Sequence, residues 1–177
     1  MPIAPLTPGR IFLTLVACTL GPGCFLADWS ASHVFNPRWP PHAKFHNGQT
    51  MAMGAALSVA TLYYTWRGYG HGRGRGRDDR PDLQEDASAR LDLELQKESI
   101  KTATLFGSLY WVTAIAAWFF PGALAVDPAF GTGFPQFPLF SGMLGLAWVG
   151  GWLETRRLSR LSKATQTQTH KDEGSRS

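Results

Sequence analysis

Apolar residues along this chain gather in four blocks, and the charged residues gather between and after them. The first block, residues 11–27, reads IFLTLVACTLGPGCFLA, carries no charge and holds a Gly21-Pro22-Gly23 break near its end. The second, 48–66, is GQTMAMGAALSVATLYYTW, and the third, 102–126, is TATLFGSLYWVTAIAAWFFPGALAV. The fourth, 137–153, is FPLFSGMLGLAWVGGWL, closed by Glu154 and then Arg156-Arg157. Each is close to the ~20 mainly apolar residues that a helix needs to cross a bilayer. The pattern predicts an all-α polytopic membrane protein with four transmembrane helices, the first one short and kinked at its proline. Gly and Ala recur in every block, and membrane helices pack through such small residues because lipid gives them no hydrophobic drive to associate. A cleaved signal peptide is the competing reading of the first block, with Arg10 ahead of the apolar run 11–20. No clean small-x-small cleavage site follows it.

Composition sharpens this picture. A chain of 177 residues that is 44% hydrophobic and 17% charged could be one ordinary domain. Its mean hydropathy of -0.12 averages two very different populations. A soluble domain would spread its charges over its surface faces, and this chain does not. Trp (7) and Phe (11) are numerous and several sit at block edges, where the membrane interface favours amphipathic rings. Cys18 and Cys24 share one apolar block and make no disulfide framework.

The basic residues set an orientation. All of them except Arg38 and Lys44 lie before the first block, between the second and third, or after the fourth. Lys and Arg near span ends prefer the cytosolic side, so both termini are expected inside, and residues 28–47 in the lumen or outside. The layout that follows has residues 1–66 as spans one and two with a lumenal His-rich loop at 28–47. Residues 67–101 form a cytosolic Gly/Arg and acidic loop, 102–155 hold spans three and four, and 156–177 make a disordered Ser/Thr/Gln/Lys-rich tail. Within the middle loop, ARLDLELQKESIK reads as a helix running into span three.

The Gly/Arg run at 68–77 could hold nucleic acid or anionic lipid through phosphate contacts. An acidic stretch follows at once (Asp78, Asp79, Asp82, Glu85, Asp86), so a solvated, orientation-setting loop is the preferred reading and no nucleic-acid partner is expected. Its glycine spacing is no dinucleotide motif, because no strand precedes it.

The segment joining spans one and two carries the candidate chemistry. Asn36-Pro37 marks a turn, Pro40-Pro41 excludes helix before it, and a helix beginning around Pro41 places His42 and His46 on one face, with Gln49 continuing the stripe. Asp28, His33 and Arg38 can fold over that stripe. Three readings stay open. A metal could sit on His33, His42 and His46, although no Glu follows the first His as in a metalloprotease helix. Alternatively His42 and His46 act as acid and base, because imidazole titrates near neutral pH. In the third, the side chains simply satisfy backbone groups that the prolines free.

The string DWSASHVFNPRWPPHAKFHNGQTMAMG, residues 28–54, resembles the signature of an uncharacterised family of short four-span membrane proteins of filamentous fungi. An NPxWPPHAxFHxGQ string is specific, while the rest of the chain matches only in span layout, and the long Gly/Arg loop reads as this chain's own elaboration. The resemblance implies a fold and a site but no reaction. Some members look like accessory genes of secondary-metabolite pathways, which implies a lipophilic small-molecule substrate, the lipid bilayer as surroundings and other membrane-bound pathway enzymes as partners.

The expectation is an integral protein of the endoplasmic reticulum or another internal membrane. It would isomerise, cyclise or dehydrate a lipophilic metabolite by acid/base chemistry without a cofactor. His42 and His46 are its expected proton donor and acceptor, and Asp28 orients one imidazole. Asn36, Arg38, Trp39 and Gln49 bind substrate, while Trp29 and Phe35 join Trp39 at an apolar mouth. A non-catalytic scaffold, chaperone or carrier for pathway enzymes is the alternative.

Overall fold

The computed structural model describes residues 5–68 and 81–174, with side chains described for 5–68 and 88–167. Among the described residues there are four helices and no strand: α1 (Pro8–Asp28), α2 (Pro41–Trp66), α3 (Pro81–Ala117) and α4 (Phe137–Gly174). Local chemistry explains where they start. Thr7 caps α1 by accepting the Arg10 N–H, and Pro8 follows in the first turn, where its missing N–H costs nothing. Pro40-Pro41 opens α2 in the same way, as the sequence predicts, without a side-chain cap. Pro22 lies inside α1, which nonetheless runs on to Asp28.

The helices form a ring in chain order. Each packs on the next, α4 closes on α1, and α1 touches α3 across the shorter diagonal. At one end Arg10 of α1 donates to Glu154 of α4 (3.0 Å), to the Thr65 carbonyl at the end of α2 (3.0 Å) and to Gln96 of α3 (3.4 Å). Neighbouring helices therefore run antiparallel. Glu154 also accepts from Thr7 (2.5 Å) and Arg157 (2.7 Å), and Arg10 and Glu154 are each only 1% exposed. Two apolar clusters fill the space above, one of Leu13, Ile100, Ala103 and Leu158, the other of Val16, Leu20, Cys24, Met51, Trp111 and Ala147.

Small and hydroxylated side chains occupy much of the remaining interior. Ser58 donates to the Ala17 carbonyl (2.7 Å) and Ser99 to the Tyr64 carbonyl (3.0 Å), each tying two helices together. Large apolar residues such as Leu26, Val59, Leu105, Phe119, Trp148 and Trp152 point outward.

Among the described residues one helix, α1, is long and apolar enough to cross a membrane. The other three miss that mark for visible reasons. The first turns of α2 carry His42, Lys44, His46, Asn47 and Gln49, and the apolar part of α4 gives way to Glu154, Arg156 and Arg157. The third apolar block was expected to be helical to residue 126, but α3 ends at Ala117. Pro121 follows, Gly122 adopts a left-handed φ of 74°, and residues 118–136 become an irregular loop.

Two further expectations change. α4 continues to Gly174 where composition predicts a disordered tail from 156. Leu158 there is fully buried against the second cluster, and Ser162 reaches Glu94 of α3 (3.4 Å), so packing on α3 extends the helix. The helix running into span three starts earlier than the sequence suggests, at Pro81. The Gly/Arg run beyond Gly68 lies outside the described residues. Finally, α1 supplies Leu13, Val16, Ala17 and Leu20 to the interior, and its removal as a signal peptide would leave Glu154 buried without Arg10.

Candidate functional site

His42 and His46 do share one face of α2. Their Nε2 atoms are 3.0 Å apart, and His46 Nδ1 meets Gln49 Oε1 at 3.3 Å. At such a separation one ring nitrogen donates and the other accepts, so a single proton joins the pair. Phe45 stacks on His42, and both imidazoles are exposed on the outside of the bundle. The predicted stripe is real, yet Asp28 does not belong to it.

Asp28 closes α1 and faces His33 instead, with Oδ1 at 3.7 Å from Nε2. Its other oxygen accepts from Asn47 of α2 at 2.8 Å. Ser32 Oγ lies 2.9 Å from His33 Nδ1, and Ser30 Oγ lies 2.9 Å from Ser32. With the ring proton on Nε2 toward the carboxylate, Ser32 donates to Nδ1. The edge of Trp39 backs the imidazole, with centroids 5.1 Å apart. The turn that brings these groups together is closed by backbone bonds from Val34 N–H to the Asp28 carbonyl (3.2 Å) and from Phe35 N–H to the Ser30 carbonyl (3.0 Å). Asp28 was expected beside His42 or His46; in the structure it faces His33 instead.

Asn36 and Arg38 meet a third residue, Asp127. Buried Asn36 donates to Asp127 Oδ2 (3.2 Å) and accepts the Arg38 N–H (3.0 Å), while Arg38 grips both Asp127 oxygens at 3.1 and 3.2 Å. Asp127 thereby ties the α1–α2 loop to the α3–α4 loop. The N–H of Ala129, then Arg38 and Asn36, hold its carboxyl below the ordinary value despite some desolvation. Sequence reasoning missed this residue, although a signal was there: Asp127 is the sole charge between Lys101 and Glu154.

Between the two loops and the helix ends lies a cavity of about 570 Å³. Asp28, Ser32, His33 and Thr50 form its polar side, and Trp111, Trp118, Phe134, Leu139 and Phe140 its apolar side. Cys24 and Tyr110 also line it. Of the expected catalytic trio only Asp28 borders this space. His42, His46, Asn36, Arg38, Trp39 and Gln49 lie outside its lining, whereas His33, expected only as a metal ligand, is part of it. Among the described residues no group of three or more His, Cys, Asp or Glu is placed to hold a metal ion. Trp111 is 3% exposed, and its indole N–H has no partner among the described residues; Gln136 Oε1, in the same wall, has none either.

The described residues thus define a four-helix bundle with a loop-covered, amphipathic cavity at the end away from Arg10 and Glu154. The chain belongs to a family of unknown function (DUF6640), whose model matches residues 12–76 and 87–165. That match contains Asp28, His33, Asn36, Arg38 and Asp127. The two matched stretches are separated at residues 77–86, in the loop that carries the Gly/Arg run. No curated protein and no solved structure matches the chain.

Proposed function

We propose that this is a four-span membrane protein of an internal membrane, such as the endoplasmic reticulum, with both termini cytosolic. Its lumenal cavity would transform a lipophilic metabolite, of the kind secondary-metabolite pathways make, by acid/base chemistry. The membrane part is supported by the outward display of Leu26, Val59, Leu105, Phe119, Trp148 and Trp152 around an interior holding Ser58, Thr61, Thr65, Ser99 and Ser108. Large apolar side chains turned outward suit a lipid surface, and membrane helices put small and hydroxylated residues at their contacts.

The observation that carries the chemistry is the placement of Asp28 and His33 on the wall of an otherwise aromatic cavity. His33 takes a proton from an acidic C–H or O–H of the bound molecule. Asp28, held by Asn47, stabilises the imidazolium, and the proton returns to another atom of the substrate. An isomerisation or cyclisation ends there; a dehydration also releases water. A carrier without turnover is the second reading, favoured by the unpartnered Trp111 N–H and Gln136 Oε1, which suit binding more than proton transfer.

Untargeted metabolite comparison of strains expressing the native chain or a variant separates the two. His33→Ala and Asp28→Asn abolish the product at near-native protein abundance, whereas His42→Ala leaves it in place. Undiminished product from abundant His33→Ala protein would remove the acid/base role. A metabolite that co-purifies unchanged with native and variant chains alike would establish the carrier.

A further inference from the structure

A second concavity lies on the opposite half of the molecule, between α3 and α4, with a volume of about 610 Å³. Thr104 and Ser108 of α3 and Gly151 and Thr155 of α4 make its floor. The helices meet closely there, since a Cβ on Gly151 would collide with the Thr104 side chain. Leu105, Trp148 (64% exposed) and Trp152 (56% exposed) form its walls. Lys101 and Arg156 stand at its rim. From Trp148 to Arg156 the groove follows two helical turns, about 12 Å at 1.5 Å per residue, within the ~15 Å depth of one leaflet's hydrocarbon.

The charges of the rim are available. Arg156 stacks its guanidinium over Trp152 at 5.1 Å and has no carboxylate partner among the described residues. Lys101 pairs with Glu98 at 2.6 Å, but both side chains are more than half exposed, and an exposed pair of this kind contributes little. Arg157, by contrast, is committed to Glu154. An apolar trough ending in two cations at the end that carries both termini fits one occupant.

We propose that this groove binds an anionic phospholipid of the cytosolic leaflet, its phosphate between Lys101 and Arg156 and an acyl chain along Leu105, Trp148 and Trp152. The site rests on the membrane reading above but not on the Asp28–His33 chemistry.

The full chain, extracted from membranes in mild detergent, is offered phosphatidylserine, phosphatidylcholine or soluble glycerophosphoserine, and retained adducts are read by native mass spectrometry. Phosphatidylserine is retained about fivefold better than phosphatidylcholine, as two interfacial cations offset by one carboxylate imply. Glycerophosphoserine is not retained. The double variant Lys101→Gln/Arg156→Gln loses the preference, Lys101→Arg/Arg156→Lys keeps it, and Trp148→Ala weakens retention of both lipids. Equal retention of the two lipids by the native chain, or an undiminished preference in the Gln variant, would overturn the site. Glycerophosphoserine held as firmly as the lipid would overturn it as well, by showing a free-anion site. Release of the chain from membranes by alkaline carbonate would instead remove the membrane reading and this site with it.

Discussion

At the scale of single residues, Asp127 fastens one end of the bundle and the Arg10–Glu154 pair the other. Asp127 holds Asn36 and Arg38 across the loops. Its carboxyl is lowered in the folded protein, so it contributes stability that is fully present above the ordinary value of 3.8 and is lost as pH falls through the lower folded value. Asp127→Asn should therefore lower the midpoint of thermal unfolding in detergent at pH 7, and the gap to the native protein should close as the pH drops below 3.8. A gap that stays constant with pH would mean that the carboxylate charge contributes nothing. At the other end, removing one partner of a buried ion pair leaves an uncompensated charge and costs about 3–5 kcal/mol. Arg10→Met and Glu154→Leu should each show a loss of that order in denaturant titrations, and combining them should cost less than the sum. Recovery will be partial, because Glu154 also accepts from Thr7 and Arg157.

At the scale of elements, helix identity follows from composition, whereas helix contact follows from individual glycines. α1 and α4 cross where Gly9 meets Gly150; a Cβ on Gly9 would lie 2.6 Å from the Gly150 carbonyl oxygen, and one on Gly150 would lie 2.9 Å from the Gly9 oxygen. Neither backbone can yield without moving its helix. Gly9→Ala should destabilise the chain by about 1–3 kcal/mol, the usual cost of overpacking. Gly145, on the same helix as Gly150, faces open space: a Cβ there would meet nothing within 4 Å, and Gly145→Ala should be neutral or stabilise by about 0.5–1 kcal/mol. Equal effects at the two positions would show that α1 and α4 do not approach as closely as described. Helix lengths obey a similar division. Pro41 sets the start of α2 by itself, but the length of α4 depends on what Leu158 and Ser162 find on α3.

At the scale of the whole molecule, the arrangement has two ends of different chemistry. One carries Arg10, Glu154, Lys97, Lys101, Arg156 and Arg157; the other carries the loops, Asp28, His33 and Asp127. In sealed vesicles a tag at either terminus should be reached from the cytosolic side, and tags inserted near Ala31 or Gly131 should both be protected. Termini found on opposite sides would remove the four-span topology. A mature chain starting near residue 28 would remove α1 from the bundle and restore the signal-peptide reading.

Helical class, the existence of four helices, the start of α2 at Pro41 and the shared face of His42, His46 and Gln49 were all legible in the sequence. All of these are local: an apolar block, a proline or an i,i+4 spacing acts within one element, whatever surrounds it. Which way that face turns is not local. Only the packing of α2 between α1 and α3 sends Asn47 inward to Asp28 and leaves His42 and His46 outside. The choice of His33 as the partner of Asp28, and of Asp127 as the partner of Asn36 and Arg38, likewise came from the way the helices and loops assemble. Asp127 lies 91 residues from Asn36 along the chain, and contacts that far apart leave no periodic trace in a single sequence.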